Sequence, residues 1–303
     1  MAAAASNMLA THLRPLLDGL SLSIRAIPRL VSLTLLMTVL GVSVPPAFSY
    51  ARASYRGYLA LGPGGIPYNV FGWALQGALQ LLAHWDTRDP SPFTDPRNRR
   101  PYEPYGSCTF FQAPIPPRAR HSAGGTGAGD GEESSSCRPE VPGYVAPQRQ
   151  ITQQPLGKQS KETRHRMTAY LEDLVKRNPG VLALKPSGLE GIGTPAVYLD
   201  TATATSTLPR GAVPKFMRTT KGEMVHVHSE CSSHITLSMA DAEEVVRKGW
   251  AERHRLSGVM GLPWGYVLIY APRDDAEYEV WRAIVRAGLQ FVCASAGRQV
   301  VTG

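Results

Sequence analysis

MVHVHSECSSHITLSM, residues 224–239, is the stretch on which the fold turns. Val225 and Val227 alternate with His226 and His228, and after SECSS (229–233) Ile235 and Leu237 alternate with His234, Thr236 and Ser238. A side-chain period of two makes each half a strand with one apolar face. If SECSS is a five-residue hairpin loop, His228 lies opposite His234 and His226 opposite Thr236, so three imidazoles converge on one side of a sheet. Such a cluster can ligate a transition metal, shuttle protons, or form the polar side of a solvated sheet face.

Working outward, Ser238 and Asp241 have the spacing of a helix N-cap, and Gly249 stands just past the last turn of SMADAEEVVRKGW. ERHRLSG (252–258) has no periodicity and reads as a basic loop carrying His254. YVLIY (266–270) suits a buried strand, and APRDDAE leads into a last helix with Asp274 as N-cap. Val280, Trp281, Ile284, Val285, Leu289 and Phe291 are its apolar stripe. Upstream, Met167, Tyr170, Leu171, Leu174 and Val175 mark an amphipathic helix ended by Asn178, Pro179 and Gly180, and VLALKP (181–186) and AVYLD (196–200) read as strands.

The N-terminal half differs in kind. Leu30 to Phe48 runs nineteen residues without a formal charge. At about 1.5 Å per residue this approaches the roughly 30 Å hydrocarbon core of a bilayer. A retained single-pass anchor, a cleaved signal and an Arg-rich transit peptide all fit, and Pro45 and Pro46 are expected to end the helix. Asn69 to His84 reads as a short amphipathic helix whose stripe is Val70, Trp73, Ala74, Ala78, Leu81 and Leu82, lying at a membrane surface or packed on the folded domain. Residues 86–161 are rich in Pro, Gly and Ser, and such composition repays little of the roughly 1–2 kcal/mol per residue that backbone ordering costs. Cys108 and Cys137 flank part of it, as two free thiols or as a disulfide.

The 303 residues carry 32 Lys+Arg against 24 Asp+Glu, a net charge of +8. The excess is mostly Arg scattered through Pro-rich sequence, with no basic stripe interleaved with aromatics, so nucleic-acid binding is not expected. Four Cys exclude a disulfide-stapled miniprotein, and 43% apolar residues exclude a wholly disordered chain. The expected organisation is a basic tail (1–29), a transmembrane anchor (30–49), a juxtamembrane amphipathic segment (50–85), a disordered connector (86–161) and a folded domain (162–303). That domain is α+β, a small sheet with a His-bearing hairpin and flanking helices.

KGEMVHVHSECSSHITLSMADAEEVVRKGWAERHRLSG, followed by GYVLIYAPRDDAE, resembles the fungal luciferase family over roughly Pro179 to Val292. The shared pattern is E-x-x-H-x-H, a further His after a small turn, a KGW-x-x-RH-x-L-x-G block and a YAPR block. In luminous members the resemblance implies oxidation of 3-hydroxyhispidin, a hydroxylated pyrone, by molecular oxygen as co-substrate. No cofactor is required there, and a metal is left open. Carried over, it makes His226, His228 and His234 the base and oxyanion-side contacts. His254 and Arg273 would bind substrate oxygens, and Trp250 would line the pocket. The long connector and the SECSS turn depart from the luminous enzymes, and many members come from non-luminous organisms. The resemblance therefore points to a luciferase-like oxygenase of a small enolisable phenolic or pyrone metabolite, anchored in the endoplasmic reticulum or another endomembrane. A noncatalytic ligand-binding or scaffold protein and a His-metal hydrolase or isomerase are the alternatives.

Overall fold

The computed structural model describes residues 29–119, 138, 139, 141, 148–150, 158–202 and 213–303. Residues 1–28, which make up nearly all of the basic tail, and Cys137 lie outside them, as does much of the segment read as a connector. The chain divides into two units, Met1–Gly57 and Tyr58–Gly303. Helix α1, Arg29–Ala60, is long and apolar enough to cross a membrane, and its side chains from Leu33 to Tyr50 are exposed. A leader sequence near an N-terminus has the same length and composition. Contrary to expectation Pro45 and Pro46 lie inside the helix. Two prolines remove two N–H donors from a 32-residue ladder, and apolar sequence continues on both sides to carry the remaining turns.

The second unit is built on a six-stranded antiparallel sheet. Its strands are β1 (Leu182–Ser187), β2 (Gly191–Leu199), β3 (Glu223–Val227), β4 (Ser233–Thr236), β5 (Ala251–Arg253) and β6 (Tyr266–Ile269), in the spatial order β1-β2-β3-β4-β6-β5. Helices α2 (Val70–Leu79), α3 (Lys158–Arg177), α4 (Met239–Arg247) and α5 (Asp275–Ser295) complete it, with one-turn helices between α2 and α3. The apolar faces of β3 and β4 pair Val225 with Ile235 and pack against α3 and α5, whose Leu171, Leu174, Trp281, Ile284 and Val285 are buried. Each such side chain contributes about 1.5–3 kcal/mol relative to exposure. The indole N–H of Trp281 donates to Ser233 Oγ at 3.0 Å, and a Cβ on Gly288 would come within 2.6 Å of Ile235, so α5 lies directly on β4. The caps are those the spacing predicts: Ser238 Oγ accepts from Asp241 N, and the Asp274 carboxylate accepts from Glu277 N.

Three expectations change. Residues 86–119 are packed structure: Phe93, Tyr102 and Ile115 are buried, and Thr109 Oγ1 donates to Asp241 at 2.7 Å. Arg118 forks onto both Glu277 oxygens at 3.1 and 2.9 Å. A few well-spaced anchors and a buried ion pair hold a segment whose average composition argued for disorder. Residues 251–253, read as part of a loop, form β5 because Ala251, Glu252 and Arg253 pair with Ile269, Leu268 and Val267. Helix α2, capped by Asn69, buries Gly72 and Gln76, while Val70 of the expected stripe and Leu81 and Leu82 in the turn after the helix are exposed, so of the two expected placements the one packed on the domain is not taken.

Candidate functional site

Strands β3 and β4 join as a hairpin in which His226 pairs with His234, Val225 with Ile235 and Val227 with Ser233. The register is thus shifted by two residues from the expected one, because the turn closes early. His228 N donates to Ser232 O at 2.8 Å, and Cys231 adopts a left-handed φ of 71°. His226 and His234 still share a face, and His228 stands two residues on from His226, so the three rings converge. Their centroids lie 5.0 Å (226 to 228), 5.3 Å (226 to 234) and 4.9 Å (228 to 234) apart. The face is not solvated: all three residues are buried.

The imidazole protons follow from their partners. A bulge in β2–β3 pairing, between Val197 and Tyr198, sets Glu223 opposite Tyr198, turning its carboxylate onto the His face. There it accepts from His226 Nδ1 (2.6 Å), Ser187 Oγ (2.7 Å), Tyr198 Oη (2.7 Å) and Gly188 N (2.9 Å). Burial pushes the Glu223 carboxyl up, but the bonds from His226, Tyr198 and Ser187 outweigh it and hold the group below its ordinary value. His226 therefore carries its proton on Nδ1. Ser232 Oγ donates to Glu230 at 2.6 Å and so receives the Nδ1 proton of His228 at 2.8 Å. Glu230 is likewise pushed up by burial and drawn below its ordinary value by His228 and Ser232. The two Nε2 atoms then face each other 3.2 Å apart.

His234 lies between the carbonyls of Gln148 (Nε2, 3.1 Å) and Val267 (Nδ1, 3.3 Å) and stacks on Tyr266 with centroids 4.9 Å apart. Burial, then the neighbouring His228, His254 and His226, push its pKa well below the usual value, so it is neutral. Burial also pushes the Tyr266 hydroxyl well up. His254, at the end of β5, joins the cluster with its ring 5.1 Å from His234. Its Nδ1 accepts from Leu256 N, which leaves Nε2 as the donor, and burial followed by His226 and His228 lowers its pKa to about 3. Glu190, in the turn between β1 and β2, reaches within 3.7 Å of His228 Nε2 and is held by Arg149 at 2.9 Å. Ligand atoms of Glu190, His226, His228 and His234 all lie within 4.8 Å of one another and could hold a metal ion.

Not every expected site residue joins this group. Trp250 donates from its indole to Pro116 O at 2.6 Å, and Arg273 donates to Glu277 and to Ala119 O. Both belong to the Arg118–Glu277 region, where Arg118 also lies over the Trp250 ring. Conversely, Glu190, Glu230, Ser232, Tyr198 and Tyr266 were missed. Glu223 was visible only as the first position of E-x-x-H-x-H, and nothing in strand periodicity marks Glu190.

A family model for a luciferase domain matches residues 221–288, the segment holding β3, β4, β5 and β6. The luciferase of Neonothopanus nambi is 26% identical over 259 residues, covering 84% of this chain and 86% of that one. The luciferase of Armillaria ostoyae is 26% identical over 250 residues, covering 81% and 83%. That of Armillaria mellea is 39% identical over 80 residues, 25% of this chain and 30% of that one. Residues 221–288 are thus a luciferase domain, and the chain is similar to fungal luciferases over most of its length. The matched luciferase domain supplies four His and the carboxylates Glu223 and Glu230, whereas Glu190 comes from outside the matched segment. No solved structure matches the chain.

Proposed function

We propose that this luciferase-family protein is a membrane-anchored oxygenase of a small enolisable phenolic or pyrone metabolite, with its reaction centre at the His face of the sheet. The supporting observation is the division of labour among buried imidazoles. His226 and His228 present Nε2 lone pairs backed by the Glu223 and Glu230 carboxylates, which is the arrangement of a general base. His254, with Nδ1 occupied by the Leu256 N–H, presents an Nε2–H that suits a developing enolate oxygen. An enolate supplies the electrons that reduce oxygen, so the chemistry asks for no organic cofactor, and burial keeps water from the intermediate. Helix α1 supplies the anchor, which we assign to an endomembrane.

Oxygen uptake by the detergent-solubilised full chain, supplied in turn with hydroxypyrones and simple phenols, tests this reading. Turnover by the wild type that falls about 100-fold in His228→Ala is expected. Uptake equal in the two proteins refutes the site, and none with any enolisable compound refutes the reading and favours a noncatalytic binding protein on the same fold.

A further inference from the structure

We propose that Glu190, His226, His228 and His234 form a binding site for one divalent first-row transition metal ion. The proposal takes the same site as the oxygenase reading; an ion there engages the Nε2 atoms that reading leaves as a base, so the site is tested through metal and not through oxygen.

The geometry comes first. The Nε2 atoms of His226 and His228 face each other at 3.2 Å. Two imidazole nitrogens facing each other at that distance share either a proton or a metal ion. Two ligands of one tetrahedral or octahedral ion with metal–nitrogen bonds of about 2.0–2.2 Å are themselves roughly 3.0–3.5 Å apart, so the spacing is that of a shared ion. A shared proton would satisfy these two atoms alone. It would not account for Glu190, whose Oε1 lies 3.7 Å from His228 Nε2, nor for the convergence of four ligand atoms within 4.8 Å.

Three buried carboxylates, Glu190, Glu223 and Glu230, are joined to these imidazoles against one guanidinium, Arg149. Among the described residues these carboxylates outnumber the guanidinium that pairs with them. Buried carboxylates in excess of their guanidinium partner favour a bound cation.

The outer shell fits as well. A metal-bound His characteristically donates its other ring N–H to a carboxylate or a hydroxyl relay, which fixes the tautomer and raises ligand basicity. His226 does this to Glu223 directly, and His228 does it through Ser232 to Glu230. Each ring nitrogen of His234 faces a backbone carbonyl, Nδ1 that of Val267 at 3.3 Å and Nε2 that of Gln148 at 3.1 Å. Imidazole and carboxylate donors without thiolate select the middle of the series, iron(II), cobalt(II), zinc(II) or manganese(II), over copper(I) or calcium.

Full-length protein purified in detergent, with and without prior chelation, is assayed for bound metals by mass spectrometry, and the chelated form is titrated with cobalt(II). Saturable uptake of about one equivalent with visible d–d bands is expected, weakened about 10-fold or more in Glu190→Gln and in the His226→Ala/His228→Ala double variant. His254→Ala, whose Nδ1 is taken by Leu256 N, should bind within about threefold of wild type. Circular dichroism reports whether the variants fold, and if one does not, the wild-type titration decides. A wild type that binds no cobalt(II) overturns the proposal, as does a folded double variant that binds like wild type. Stoichiometric metal in a protein that consumes no oxygen upholds the site and sinks the oxygenase reading. Oxygen uptake by protein that binds no metal does the reverse.

Discussion

Glu223→Gln is the substitution whose outcome is most tightly determined by its surroundings. The side chain is 1% exposed and accepts four hydrogen bonds. Gly188 N–H is a fixed donor on the Oε2 side, whereas Tyr198 can turn its hydroxyl to Pro186 O at 3.1 Å. On the Oε1 side, Ser187 Oγ already accepts from Leu189 N at 3.1 Å and Glu190 N at 2.9 Å, so its hydroxyl must donate to Glu223. A glutamine NH2 therefore meets a donor in either orientation. The less costly one keeps oxygen toward Gly188 and sets NH2 against Ser187 and His226 Nδ1, which drives the His226 proton to Nε2. Loss of one charge-assisted bond, at about 1.5–3 kcal/mol, and one crowded donor give a destabilisation of about 2–4 kcal/mol. Denaturant unfolding of the full chain in detergent measures this, and 15N chemical shifts of the labelled imidazoles report the tautomer. A variant within about 0.5 kcal/mol of wild type that keeps its His226 proton on Nδ1 refutes the proton assignment on which the site argument stands.

Arg118→Met removes a buried guanidinium from Glu277 while Arg273 remains, so unfolding free energy should drop by about 2–4 kcal/mol at pH 7. Burial pushes the Glu277 carboxyl up from its ordinary 4.5, but the bonds from Arg118 and Arg273 pull it below. That stabilisation is present above pH 4.5 and lost as pH falls through the lower folded value, so the acid sensitivity of wild type should shrink in the variant when unfolding is followed from pH 7 downward. Asp241 has the opposite sign. Burial raises its carboxyl from 3.8 to about 6 despite the bonds from Thr109, Phe110 and Ser238, so the native state binds more protons in that window. Its contribution to stability should grow as pH falls between those values, by at most about 1.4 kcal/mol per unit, and Asp241→Asn should lose that slope. Gly288→Ala would set its methyl within 2.6 Å of Ile235 Cδ1 and 2.9 Å of Thr236 O. Because the second contact is backbone, a loss of about 1–3 kcal/mol is expected by thermal unfolding, and an unchanged midpoint would contradict the close approach of α5 to β4.

The limits of the sequence reading follow a physical line. Period-two alternation located β3 and β4 and assigned His226, His228 and His234 to one face, since burial of Val225, Val227 and Ile235 leaves no other choice. Capping chemistry likewise marked the starts of α4 and α5 at Ser238 and Asp274. Alternation says nothing about register when the turn length is free, and the closure from His228 to Ser232 shifted the pairing by two residues. Composition failed over 86–119 because averages do not register isolated anchors such as Phe93 and Arg118.

The carboxylates of the site were hidden for one shared reason: each is delivered by a departure from regular pairing. Glu223 faces the imidazoles through the β2–β3 bulge, Glu230 lies in the turn of the His hairpin, and Glu190 in the turn between β1 and β2. A regular antiparallel pair would place Met224, not Glu223, opposite Tyr198, and would leave His226 Nδ1 without a carboxylate. The bulge therefore decides which His226 nitrogen faces His228, and with it whether the pair offers two lone pairs or a donor and an acceptor. In this fold the regular strands supply the imidazoles and the irregular backbone sets their protonation, so changes at the bulge and the two turns should alter the chemistry of the site more than equally buried changes within the strands.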